Sequence, residues 1–261
     1  MPRPEESSMS RFQRLAVLAA ALGLTLTVGG EVRAAAPAEA SAAFQQGMTA
    51  YKSGDMTSAV KDWTKAADQG HVGAAWLLGN LYDKGKVVPQ SDAQAFKYYK
   101  IAAEGGQPEA ATRLGLIYRE GNPDIELDKN YKEAVRWFEV GALAPRADAQ
   151  FYLGQMHRNG WGVPIEKSEG LRWYFLSAKK RFPPAFLELA RIHFDGDGVD
   201  VNREDAWGFL MLAQRYGDDA IKQKAEEMYD KYEPRMKAGE KSKGSRFAEA
   251  WVESSTDGPG N

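Results

Sequence analysis

A Leu-Gly or Leu-Ala pair returns four times along this chain, at Leu78-Gly79, Leu114-Gly115, Leu153-Gly154 and Leu189-Ala190, and each time it brings the same neighbours. Tyr82, Tyr118, His157 or His193 follows three residues later, then Gly85, Gly121, Gly160 or Gly196. Beyond each Gly come a small residue (Ala95, Ala134, Gly170, Ala206) and a bulky pair: Tyr98-Tyr99, Trp137-Phe138, Trp173-Tyr174 or Phe209-Leu210. A period of about 36 residues marks units that cannot bury their apolar faces alone and must stack on one another.

Each unit reads as two helices. In the first, Leu, Gly and the aromatic fall at i, i+1 and i+4, and the Gly admits a neighbouring helix closely because it has no side chain. In the second, the small residue, the bulky pair and a further small pair form a stripe at i, i+3, i+4, i+7 and i+8, wide enough to be buried. Loops such as Gly160-Trp161-Gly162-Val163-Pro164 separate the two. Their glycines permit positive φ, and proline stops helix extension.

The ends depart from this register. Residues 35–42 read as a flexible lead-in, and residues 43–73 as a shorter, tetratricopeptide-like opening unit. Four full units span residues 74–217. Over residues 218–236, Ile221, Ala225, Met228, Tyr229, Tyr232 and Met236 form the apolar stripe of a capping helix, as the open end of an array requires. Residues 237–261 read as a polar, largely disordered tail, with one short helix around Phe247, Ala250 and Trp251.

The pattern A-x-x-x-L-G-x-x-Y-x-x-G-x-G-V followed by A-x-x-W-Y/F-x-x-A-A-x-x-G resembles the Sel1-like repeat. Val87 replaces the second loop glycine in one unit, and Gly121-Asn122-Pro123-Asp124 opens a longer loop in the next. The resemblance implies an all-α, right-handed α-solenoid of stacked helix-turn-helix units that acts as a binding scaffold without catalysis. A narrower similarity is to periplasmic regulators of exopolysaccharide production in alphaproteobacteria, which restrain a sensor kinase. It rests on size, on the N-terminal segment and on the stretch from Ala50-Tyr51-Lys52-Ser53-Gly54 to Ala66-Ala67 and Gly70-His71.

Residues 1–34 carry Arg11 and Arg14 ahead of an apolar run at 15–28, then a small-residue site at Val32-Arg33-Ala34. That layout is expected of a cleaved signal peptide, because the run is shorter than the roughly 20 residues a bilayer span needs. The expected location is the periplasm. The chain has no cysteine, which removes disulfides, thiolate metal sites and lipid attachment at an N-terminal cysteine. With 34 basic against 36 acidic residues it lacks the cationic excess of a nucleic-acid binder.

The chemistry-bearing residues are mostly absorbed by the repeat. His157 and His193 stand in the slot held by Tyr82 and Tyr118, and no pair of histidines has metal-ligand spacing. Asp195-Gly196-Asp197-Gly198-Val199-Asp200 resembles the start of a calcium loop, but Val199 and Ala206 stand where oxygen ligands belong. No catalytic residue, metal or cofactor is expected, and no small-molecule substrate. Trp63, Trp137, Trp173 and Trp207 fall on second-helix core positions, whereas the repeat needs no large apolar group at Trp161 in its loop. Leu77, Arg113, Tyr152 and Glu188 share one variable first-helix position, expected to be exposed. Together with Trp161 they form the candidate partner-binding set. The expected partner is a membrane or envelope protein. The alternative role is a structural scaffold for envelope or polysaccharide-export assembly.

Overall fold

The computed structural model describes residues 37–256, and helices dominate. The signal-peptide reading lies outside the described residues, as does the last part of the expected tail. Five helix pairs follow one another: α1 (Ala38–Lys52) with α2 (Met56–Asp68), α3 (Val72–Lys84) with α4 (Asp92–Glu104), α5 (Pro108–Glu120) with α6 (Tyr131–Leu143), α7 (Ala147–Asn159) with α8 (Lys167–Lys179), and α9 (Pro183–Asp195) with α10 (Arg203–Tyr216). Then come α11 (Asp219–Tyr232) and α12 (Glu240–Thr256). The pairs are called units one to five below. In units one to four the two helices pack most heavily on each other, and the second helix of each packs on the first helix of the next unit, which makes the fold an α-solenoid.

Local signals set the boundaries. Ser91, Asn130 and Asn202 each precede a second helix and accept a hydrogen bond from a backbone N–H three residues on, at 3.3, 3.1 and 3.0 Å. These caps satisfy N–H groups that have no intrahelical partner. Gly160 and Gly196 close α7 and α9 in the left-handed conformation, φ 69° and 71°, where a side chain is disfavoured. The glycine of the Leu-Gly pair has a different task. A Cβ on Gly79, Gly115 or Gly154 would lie 2.6 Å from Tyr99, 2.5 Å from Phe138 or 2.7 Å from Tyr174, so these glycines allow the aromatic of the second helix to lie against the first.

The buried side chains form three clusters. One runs from Ala43 to Trp137 through units one to three, and another from Phe151 to Ala248 through units four and five and both terminal helices. Between them lies a smaller cluster of seven residues on α6 and α7, with Phe138, Leu153 and Met156 at its centre.

Two expectations about the ends need correction. The lead-in at 35–42 is not flexible where it is described: α1 begins at Ala38 after Pro37, and Ala40 is fully buried. Its alanines are strong helix formers with a unit to pack on. The polar tail is a full helix from Glu240 to Thr256. Gly244, Phe247, Ala248, Trp251 and Val252 give it a helical stripe, and α12 packs on α10 about as closely as the two helices of a unit pack together. Gly208 and Gly244 permit this contact: a Cβ on the first would meet Phe247 at 2.4 Å, and on the second the Glu204 carbonyl at 2.6 Å. The open end is therefore covered by α12 as well as by α11.

Candidate functional site

Successive units are joined at a repeated point of contact. The first residue of a second helix meets the residue just after the C-capping glycine of the next unit's first helix, thirty positions along. Between units two and three, Asn122 Nδ2 donates to the Asp92 carboxylate at 2.6 Å. Between units four and five, Lys167 Nζ pairs with Asp197 at 2.6 Å. Between units three and four, the same two positions hold Tyr131 and Trp161, whose rings stack 5.6 Å apart and 13° from parallel.

At this last joint the surroundings form an open cleft with aromatic walls, of about 450 Å³. Arg119 and Glu120 from the end of α5 line it, with Lys129 and Tyr131 where α6 begins. Tyr152 and Gln155 of α7 and the exposed Trp161 complete it. The Arg119 guanidinium lies over the Tyr152 ring at 4.7 Å, donates to Gln155 Oε1 at 3.1 Å and pairs with Glu120 at 2.7 Å. Burial raises the Tyr152 phenol above its ordinary pKa, so this ring stays neutral and hydrogen-bonding at neutral pH. Lys129 and Arg113 are exposed, and neither has a carboxylate within 4.0 Å among the described residues. Cations and aromatic faces of this kind are the side chains that anchor protein interfaces.

Of the residues singled out from sequence, Tyr152 and Trp161 meet in this cleft, and Arg113 is close enough for its charge to act on Tyr152. Leu77 and Glu188 do not join them. Leu77 packs against the first core cluster, and Glu188 pairs with Arg191 at 3.1 Å. The expected exposure of this row holds fully only for Arg113, because Tyr152 is half-buried against Phe138 and Phe151. Sequence reasoning missed Arg119, Lys129, Tyr131 and Gln155. Tyr131 carried a signal: the other second helices open with Met56, Asp92, Lys167 and Arg203, none of them aromatic.

The remaining candidates have structural duties. Asp197, in the segment that resembles a calcium loop, is held by Arg158 at 2.6 Å, by Lys167 and by Arg191. The Lys167 ammonium, and after it the Arg158 guanidinium, hold its carboxyl down to about 2. His157 and His193 are half-buried, and burial lowers both imidazoles. His193 packs against the rings of Phe175 and Phe209. Trp63 and Trp137 are core residues, while Trp173 and Trp207 are only half-buried, under Arg172 and Lys241. Among the described residues no helix is long and apolar enough to cross a membrane.

Comparison with known proteins places this geometry. An exopolysaccharide production negative regulator of Rhizobium meliloti is 34% identical over 170 residues, covering 58% of this chain and 63% of the relative, so the chain spans less than two-thirds of that protein. A protective antigen of uropathogenic Escherichia coli with an SLR fold superposes with a TM-score of 0.69 at 25% identity, over 82% of this chain and 45% of the antigen. A Sel1 repeat protein from Oxalobacter formigenes gives 0.53 at 31% identity, over 67% and 70% of the two chains. The Sel1 repeat family model matches at residues 44–71, 72–107, 108–144, 147–181 and 184–213, and its first match covers the segment expected to be a tetratricopeptide-like opening unit. This chain belongs to the Sel1 repeat family.

Proposed function

We propose that the chain is an exported, periplasmic negative regulator that binds the outer domain of a membrane sensor kinase and holds its signalling down. Its homology to a negative regulator of exopolysaccharide production supports a regulatory role played through protein contacts. The basic-apolar-small layout of residues 1–34 supports export. The observation that carries the reading is the cleft at Tyr131, Tyr152 and Trp161. It is an open binding surface in the middle of the array, built from aromatic and arginine side chains that anchor protein interfaces.

Crosslinking intact cells and capturing the chain tests this. The expected catch is a membrane protein with an external sensory domain, lost with Trp161→Ala, and deleting the gene is expected to raise transcription of polysaccharide genes. A deletion that stops polysaccharide export and leaves transcription unchanged overturns the reading in favour of a structural scaffold.

A further inference from the structure

We propose that the cleft receives a carboxylate side chain from an acidic segment of the partner protein, in the place that Asp197 fills one unit further along the chain. The inference rests on the reading above, that the chain acts by holding a protein.

Two joints of the same array differ in who supplies the anion. At the joint between units four and five, Asp197 arrives from the loop and its carboxylate meets Arg158 at 2.6 Å, Lys167 at 2.6 Å and Arg191 at 3.4 Å. Arg158 is almost entirely buried there, with its side chain 4% exposed, and also donates to the Asp197 carbonyl. The chain thus closes this joint with its own anion.

At the joint between units three and four, the repeat register puts Arg119 in place of Arg158, Gln155 in place of Arg191, and Trp161 in place of Asp197. The arginine is retained and the carboxylate is not. Arg119 is left with Glu120, a neighbour on its own helix whose side chain is 64% exposed, and a surface pair of that kind contributes little. Lys129 and Arg113 add two cations without ion-pair partners among the described residues. The open volume of about 450 Å³ lies against Arg119 and Lys129, with the Arg113 charge acting on Tyr152 in its wall.

Charge and shape together define the occupant. The arginine fork and Lys129 favour a carboxylate, because charge-assisted hydrogen bonds are the strong ones. Trp161, exposed and stacked on Tyr131, offers a flat apolar surface for the residue beside it. A short acidic segment with an aromatic or aliphatic neighbour satisfies both.

The test uses the purified chain and two fluorescein-labelled capped peptides, GSEFEG and its glutamine counterpart GSQFQG, read by fluorescence anisotropy, with unlabelled trigalacturonate as a competitor. The expected result is binding of the glutamate peptide at least tenfold tighter than the glutamine peptide. Lys129→Ala and Arg119→Gln should each weaken it at least threefold. Trp161→Asp supplies the missing internal carboxylate and should abolish binding while the helical circular dichroism spectrum is kept. Lys129 is exposed, so its variant tests the cleft even if Trp161→Asp fails to fold.

Equal binding of both peptides, no binding of either, or variants that bind like the parent chain would each overturn the proposal. Displacement by trigalacturonate at lower concentration than by unlabelled GSEFEG would overturn it too, and would assign the cleft to an acidic sugar. If the peptide results hold and cell crosslinking recovers no sensor, the regulatory reading fails alone. If a sensor is recovered and the peptides do not discriminate, the carboxylate proposal fails alone.

Discussion

Arg158 and Asp197 meet at 2.6 Å across 39 residues of sequence, and the arginine is almost wholly buried when they do. Its other hydrogen bonds run to the backbone carbonyls of Lys167 and Asp197, so one side chain ties α7, α8 and the loop after α9. Removing the carboxylate leaves a buried cation with neutral partners only. Asp197→Asn is expected to lower unfolding stability by about 2 kcal/mol, the usual order for a broken charge-assisted bond in a partly buried site. Urea denaturation measures this, and an unchanged midpoint would show that the joint holds without the ion pair.

The Leu-Gly pairs make the opposite of the usual glycine prediction. In an exposed helix, Gly→Ala stabilises by roughly 0.5–1 kcal/mol. At Gly115 the new methyl would lie 2.5 Å from the Phe138 ring, itself fully buried, so overpacking wins and Gly115→Ala should cost about 1–3 kcal/mol. Thermal melting of Gly115→Ala beside an exposed control, Gly54→Ala, checks the mechanism. The control has open space at its Cβ position but φ of 85°, so it reports backbone strain without crowding.

Acid should loosen the array in two stages. Burial holds His157 and His193 below their ordinary value of 6.5, and the carboxylate of Asp205 facing His193 opposes this only in part. The unfolded chain therefore takes up protons first as the pH falls through 6.5, and stability declines from there until the folded imidazoles also titrate. Asp197 acts lower down. Its carboxyl is shifted from 3.8 to about 2, so its contribution is complete above 3.8 and is lost as the pH falls towards 2. Melting temperatures between pH 8 and 5 should drop, with a smaller drop in His193→Phe. A flat profile over that range would contradict the assignment.

The last helix should behave as part of the fold. Trp251 packs near Phe175, Phe186 and Phe209, which belong to three different helices. Trp251→Ala is expected to cost about 3 kcal/mol by the usual scale of large-to-small core changes, and to speed amide exchange in α10 and α12 before the rest of the chain. Uniform exchange across all units would instead mean that α12 contributes no separate closure.

The sequence made the unit legible because its landmarks are set by packing, and packing repeats. Leu114, Gly115 and Phe138 had to recur for each pair to close. The ends were harder to read because composition there opposes pattern. Lys241, Ser242, Lys243 and Ser245 look like a solvated tail, yet they belong to a helix whose Phe247 and Trp251 are turned inward. The cleft was half legible. Trp161 stood out because a loop has no need of it, whereas Arg119 and Gln155 are ordinary residues for a helix surface and gain meaning only beside Tyr152.

The division of the interior into two large clusters with a thin one between them has a mechanical consequence. The seven-residue cluster on α6 and α7 is the smallest of the three, and Tyr131 and Tyr152 lie along its rim. In a chain whose neighbouring units hold one another in a line, each junction is carried by its own few side chains, here Phe138, Leu153 and Met156. A molecule seated in the cleft would touch α5, α7 and the loop after α7, and so would bridge units three and four across this junction.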